Sequence, residues 1–307
     1  MGRTTLRDVA KEAGVSVVTV HKALYAKGGV GFETRKKILA IAQDMDYSVN
    51  EAASSLKRKA LHIAVIFQSM SNPHNFFFRK MWDGIEKVEQ DLHDYRVSIT
   101  RLECGDEWGS QEKILYSLAE SRNVDGVILH CWDETRLNPA IDCLFDKGIP
   151  VVTANSDAIG SKRIDCVSAP NERIGRLAAE MMGRLAPGGG RVLVAGGHEM
   201  AKNARDTRRG FQSYLKTCSP GTSVTEVYNF GDQEQFIANL TASIRTWRAT
   251  GLYAITARDT FSACTAIRDL DMSGRIKVIG SDAFEEMEPF FDDGTLYASI
   301  WKDPKSQ

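Results

Sequence analysis

The chain has 307 residues, 43% of them hydrophobic and 26% charged, a length that exceeds one compact core and a composition that excludes disordered, collagenous and disulfide-scaffold proteins. The longest apolar runs, such as Leu61 to Phe67, are strand-sized and fall short of the roughly 18 residues of a membrane span. The net charge of −1 conceals an asymmetry: residues 1–60 hold eleven Lys/Arg against six Asp/Glu, a net +5, which leaves −6 on the remainder. A basic head on an acidic body is expected of a protein whose head meets a polyanion while its body does something else.

The opening residues, Met1 to Asp8, are polar and carry no secretory signal, and Leu6 stands where N-myristoylation requires Ser or Thr, so the expected location is the cytoplasm and no membrane partner is expected. The six cysteines, Cys104, Cys131, Cys143, Cys166, Cys218 and Cys264, include no C-x-x-C pair and read as free thiols rather than metal ligands.

Residues 5–46 read as three short helices. Leu6, Val9, Ala10 and Ala13 fall on one helical face, with Thr5 and Asp8 spaced as a capping box. Gly14-Val15-Ser16 ends that helix: the glycine permits a left-handed turn, Val15 points inward and Ser16 caps the next helix, residues 17–24, with Val20 and Leu24 inward. A third helix, Glu33 to Met45, gives Ile38, Ile41, Ala42 and Met45 to the core and shows Arg35, Lys36 and Lys37 on its first turn. The small Ala10, the turn glycine and the inward valine suit the close crossing of a helix-turn-helix, although spacing alone also fits a generic three-helix bundle with solvated charges. Residues 46–59 then offer Asn50 as a cap, a lone Leu56 and the cations Lys57, Arg58 and Lys59, the composition of a segment that folds on DNA with an apolar wedge between base steps.

Taken together, Thr5 through Ser16, Thr19-Val20, Thr34-Arg35, Tyr47 and Asn50 through Leu56 closely resemble the head of the lac-repressor (LacI/GalR) family of bacterial transcription regulators over about 50 residues. The resemblance implies base reading by Val17, Val18, His21 and Lys22, a minor-groove wedge at Leu56 beside Ala53, and supporting DNA contacts from Thr5, Ser16, Thr19, Thr34, Arg35 and Asn50. Three positions depart from the family pattern: His21 replaces a serine, Lys22 an arginine and Val49 a proline. Lys22 can still reach guanine O6 or N7, and Val17 or Val18 can meet a thymine methyl.

From Leu61 apolar strands alternate with amphipathic helices. Strands are predicted at 61–67, 95–102, 125–131, 150–154, 191–196, 224–229, 253–257, 276–280 and 296–301, an alternation that calls for parallel sheets covered on both faces. The expected fold is an all-α helix-turn-helix headpiece (1–48), a hinge (49–60) and an α/β body (61–307). The body is expected to form two doubly wound parallel-sheet lobes around a cleft, lobe 1 at about 61–160 and 290–307 and lobe 2 at about 161–289. Segments such as Val124 to Leu129, Gly148 to Val152, Arg205 to Phe211 and Val278 to Asp282 resemble the periplasmic-binding-protein-like effector domain of the same family, and Ser71-Asn72-Pro73 belongs to the same pattern.

That resemblance implies a sugar or sugar-derivative effector held by Phe77 and Phe78, with Phe76 a competing choice, and by Asn155, Arg258, Asp259, Asp282 and Lys302. The family's arginine three residues before Gly210 is Thr207, with Arg205 and Arg208 near enough to substitute. Asn155 stands for a carboxylate, Arg258 for an asparagine and Lys302 for a glutamine. These exchanges point to an effector with an anionic group, unless Arg258 and Lys302 pair with Asp259 or Asp282 around a neutral sugar.

Gly188-Gly189-Gly190 and Gly196-Gly197 lack the spacing of a phosphate loop and read as turns, and His74, His130 and His198 have no partners at catalytic spacing, so surface or core places are expected for them. Relatives continue beyond Asp303-Pro304 and no heptad tail follows, so a coiled-coil tetramer is not expected. The function expected is a repressor of carbohydrate genes, a homodimer on operator DNA that needs no cofactor, metal or catalytic residue. The alternative is a cytosolic sugar-binding or sugar-modifying protein that binds no operator.

Overall fold

The computed structural model describes residues 4–25, 28–45, 47, 59–71, 74–92, 95–105, 109–186 and 189–307. The chain divides into a small N-terminal helical unit and an α/β body. In the head, α1 (Leu6–Ala13), α2 (Val17–Leu24) and α3 (Phe32–Asp44) bury Val9, Ala10, Ala13, Val20, Ala23, Ile38 and Ala42 together. Thr5 and Asp8 form the reciprocal capping box, Gly14 ends α1 at φ +69, and the Ser16 hydroxyl accepts the Thr19 N–H at the start of α2. Each boundary therefore has a local chemical cause, a satisfied N–H or a left-handed turn open to glycine. The hinge positions Asn50, Ala53 and Leu56, and Asn72 and Pro73 of the body, lie outside the described residues.

The first lobe is built from β1 (Leu61–Gln68), α4 (Phe76–Asp91), β2 (Val97–Cys104), α5 (Ser110–Ser121), β3 (Gly126–Leu129), α6 (Glu134–Asp146), β4 (Val151–Ala154) and β5 (Asp165–Val167). The second follows as α7 (Asn171–Leu185), β6 (Arg191–Ala195), α8 (Lys202–Cys218), β7 (Ser223–Val227), α9 (Gln233–Trp247), β8 (Gly251–Ala254), α10 (Ala257–Asp269), β9 (Lys277–Ser281), α11 (Glu288–Asp292) and β10 (Ala298–Ile300). All pairings are parallel, in the orders β2-β1-β3-β4-β5 and β7-β6-β8-β9-β10. The two lobes thus repeat one doubly wound plan, whose ligand position is the crevice beyond the strands' carboxyl ends. The repeat extends to detail. Asn155 follows β4 at φ +63 with its N–H on Val167 O, and Asp282 follows β9 at φ +64 with its N–H on Ile300 O. Asn and Asp are the non-glycine residues best suited to that left-handed turn.

Two boundaries differ from the sequence expectation. The three-residue strand β5 belongs to the first sheet, and β10 pairs with β9 in the second, so 290–300 belongs to lobe 2 rather than lobe 1. Only the final 3₁₀ turn, Pro304–Ser306, returns to α4, where Gly84 gives it room: a Cβ there would lie 2.5 Å from Lys305 O. The core of lobe 2 includes the crossing of α7 and α8, which touch through Gly175 and Gly210. All six cysteines are free, and among the described residues no helix is long and apolar enough to cross a membrane and no acidic, His or Cys cluster could hold a metal.

Candidate functional site

On the head, α2 presents its first turn outward. Val17 and Val18 are 41% and 63% exposed although both are β-branched hydrophobics, so packing does not account for them. The cap fixes their direction, since Ser16 and Thr19 spend their hydroxyls on each other and on the helix start. One turn on, His21 stacks on Tyr25 at 4.5 Å and Lys22 follows Val18 on the same face. Thr34 is exposed at the start of α3, while Arg35 donates Nε to Ala23 O and so ties α3 to the end of α2. Thr5 and Asp8 are occupied with each other at the start of α1.

In the body, a cavity of about 130 Å³ lies between the lobes at the carboxyl ends of their strands. That is roughly ten times what a single water requires, a space suited to one small metabolite. Phe77 and Phe78 from the first turn of α4, Asn155, Arg258, Asp259, Asp282 and Lys302 all line it. Phe76 does not. It leaves lobe 1 to pack on Phe261 and Phe284 of lobe 2, with ring centroids 5.6 and 5.7 Å away.

The structure does not bring Arg205 and Arg208 to the cavity. Asn203, Ala204 and Thr207 occupy the cavity face of α8, and helical phase turns the two arginines elsewhere. Arg208 is buried over the Tyr228 ring at 4.2 Å, and its Nη2 donates to Gly196 O and, at 3.0 Å, to Gly197 O. Arg205 pairs with Glu134 of lobe 1.

The charges in the wall are largely engaged with one another. Asp259, 2% exposed, accepts the Gly197 N–H at 2.8 Å, the Thr256 hydroxyl at 2.5 Å and Asn229 Nδ2 at 2.6 Å. It therefore shapes the wall and is not an open acceptor. Asp282 is wholly buried; its Oδ1 accepts the Lys302 N–H at 3.1 Å, and Lys302 Nζ lies 3.3 Å from Oδ2, 3.3 Å from Ile255 O and 5.6 Å from the Phe77 ring centre. Burial raises the Asp282 carboxyl above its ordinary value, and Lys302 opposes that. The Lys302 ammonium is thus used on the protein, which removes one of the two cations that pointed to an anionic effector.

Residues that the sequence left unassigned complete the wall. Gln68 closes β1, His130 and Trp132 follow β3, His198 follows β6 and Asn229 follows β7, and all line the cavity. The histidines expected at surface or core positions, His74, His130 and His198, are therefore wall residues. Burial holds His130 down to about 4 and keeps His198 below its ordinary value, so both are neutral at pH 7. His130 Nδ1 faces Ala154 O at 3.3 Å and must carry the proton, while His198 Nδ1 accepts the Met200 N–H at 3.1 Å. Gln68 Oε1 is buried and accepts no hydrogen bond among the described residues, whereas Asp282 Oδ2 has the Lys302 ammonium beside it. An atom such as Gln68 Oε1 calls for a donor. The signal for Gln68, His130, Trp132 and His198 was positional: each stands at or just past the end of a strand flanking the point where strand order reverses, while Asn229 follows the edge strand β7.

The fold and site define a two-lobed α/β body with a cavity between its lobes, in a chain that begins with a helix-turn-helix head. Residues 63–307 match the periplasmic binding protein domain family and residues 5–50 match the bacterial regulatory proteins, lacI family. The chain belongs to the periplasmic binding protein domain family, and its head is a lacI-family domain. It is 30% identical to the ribose operon repressor of Lactococcus lactis over 69% of this chain and 60% of that protein, and 28% identical to the probable transcriptional repressor ExuR of Bacillus subtilis over the same shares. The chain thus spans about 60% of the length of these relatives. Among solved structures, the glucose-galactose binding protein of Geobacillus stearothermophilus shares the body's fold at a TM-score of 0.72 with 21% identity, covering 81% of this chain and 87% of that one. The Caulobacter myo-inositol binding protein does so at 0.71 with 22% identity, over 82% and 84%.

Proposed function

We propose that the protein is a sequence-specific transcription regulator, a repressor of carbohydrate metabolism genes, that acts as a homodimer on operator DNA in the bacterial cytoplasm and responds to a sugar or sugar derivative in the cleft. The observation that carries this reading is the union in one chain of a capped helix exposing two valines and a cleft, at two strand-order reversals, lined by aromatic rings and a buried amide oxygen, Gln68 Oε1, without a donor. The rings suit the apolar face of a sugar, and Gln68 Oε1 suits one of its hydroxyls. Effector binding that favours one lobe arrangement biases the heads by differential affinity for two states. Support also comes from the relatives named above, an operon repressor and a probable transcriptional repressor.

Calorimetric titration with monosaccharides and their acid and phosphate derivatives tests the sensing half. Binding of one of them, weakened about tenfold by Phe78→Ala, supports the reading; no binding across the set contradicts it.

The head makes its own prediction. Val17, Val18 and Lys22 read thymine methyls and a guanine, so replacing one contacted thymine by uracil, which removes only a methyl, lowers operator affinity about three- to fivefold. Val18→Ala binds the thymine and uracil operators alike if Val18 makes that contact. Equal affinity of the unaltered protein for every uracil-substituted operator would rule the methyl contact out.

A further inference from the structure

We propose that Arg205 and Glu134 are a charge latch between the lobes and set the balance between closed and open forms of the cleft. Arg205 lies in the first turn of α8 in lobe 2 and Glu134 is the first residue of α6 in lobe 1, and their side chains meet across the lobe boundary. An exposed ion pair ordinarily contributes little, because two long side chains must be held in one geometry. Here each is already held within its own lobe. Arg205 Nη1 donates to Met200 O at 2.7 Å, and Glu134 Oε2 accepts the Ile159 N–H at 3.1 Å. The pair thus forms from preset halves, and Glu134 is only 15% exposed, which limits screening.

Its position couples it to the cavity. Glu134 follows Trp132 by two residues and Arg205 follows Asn203 by two, and both of those residues line the cavity. Asn203 Nδ2 reaches Asn155 Oδ1 of lobe 1 at 3.5 Å, and Trp132 meets the His198 ring at 6.4 Å, so the latch closes beside contacts that also bridge the lobes. A second bridging ion pair among the described residues, Arg79 with Glu286 at 2.5 Å, accompanies the Phe76 contacts with Phe261 and Phe284, where apolar packing shares the load. Arg205 and Glu134 act as positioning residues and do not touch the ligand. This inference stands on the two-lobed fold whether or not the ligand is a sugar.

Energy transfer between dyes on the exposed Cys218 of lobe 2 and on Glu120→Cys of lobe 1 reports lobe separation in the 307-residue chain without any ligand. The latch predicts that Arg205→Gln and Glu134→Gln each lower the closed-to-open ratio about three- to tenfold, and that raising salt lowers it clearly less in these variants than in the unaltered protein. The double exchange Arg205→Glu with Glu134→Arg recovers the ratio to within about twofold, which separates a charge pair from mere loss of packing. Arg79→Gln retains the salt response. A ratio unchanged by either single variant, or a double exchange no better than the singles, overturns the latch.

Discussion

Lys302→Met is expected to destabilise the body by about 3–5 kcal/mol, because it leaves a wholly buried carboxylate without its counter-charge. For a domain of this size that is a fall in Tm of roughly 10 °C or more, read by calorimetry. The pH dependence identifies the cause. Burial already holds the folded-state Asp282 carboxyl above its ordinary value. Between the unfolded and folded values the folded protein keeps a proton that the unfolded chain has released, so this group's contribution to stability declines as pH rises through that window. Loss of Lys302 moves the upper edge of the window higher. The variant should therefore be weakest near neutral pH and regain stability on acidification toward about pH 5. Asp282→Asn combined with Lys302→Met should recover most of the loss and abolish its pH dependence, since a neutral pair has no charge to strand. A Lys302→Met protein as stable as the parent at pH 7 would mean that Asp282 is solvated or protonated without its partner.

The second large effect concerns a contact with no side chains in it. A Cβ on Gly210 of α8 would lie 2.0 Å from Glu172 O of α7, and one on Gly175 of α7 would lie 2.0 Å from Thr207 O of α8. Both obstacles are backbone, so no rotamer change relieves them and the helices must part. Gly210→Ala gains up to about 1 kcal/mol of helix propensity. The forced separation of two packed helices costs more, and a net loss of about 2–4 kcal/mol is expected in denaturant unfolding. Because α8 carries Asn203 and Thr207 on the cavity face, the same substitution should weaken effector binding as well. A variant more stable than the parent, as propensity alone predicts, would show that the crossing is looser than described.

Local chemistry made much of this legible in advance. The capping box at Thr5 and Asp8, the left-handed Gly14 and the Ser16 cap depend on residues within four positions of one another, and all three are in place. The long strands follow from buried Val/Ile runs. Strand β5 was missed because three residues with only Cys166 partly covered offer no periodicity to read. The lobe of β10 was missed because pairing with β9 rather than return to the first sheet is decided by topology, not by the sequence of the strand. In the cleft, Phe77, Phe78, Asn155, Arg258, Asp259, Asp282 and Lys302 came together from residue-by-residue resemblance. Arg205 and Arg208 did not, since nearness in sequence to Thr207 says nothing of helical phase. The pairing of Lys302 with Asp282 joins residues twenty positions apart at the ends of neighbouring strands, so the sequence left open whether the lysine is an available cation or pairs internally, and the sheet order decides it.

The most direct test of the central claim is selection of bound DNA from a random-sequence library at moderate salt, with and without a pool of sugars, sugar acids and sugar phosphates. A homodimeric operator-binding sensor predicts enrichment of a symmetric site with two half-sites related by a two-fold axis, and an enrichment that one member of the pool changes. Binding that is salt-sensitive but blind to sequence, and indifferent to every member of the pool, would contradict it.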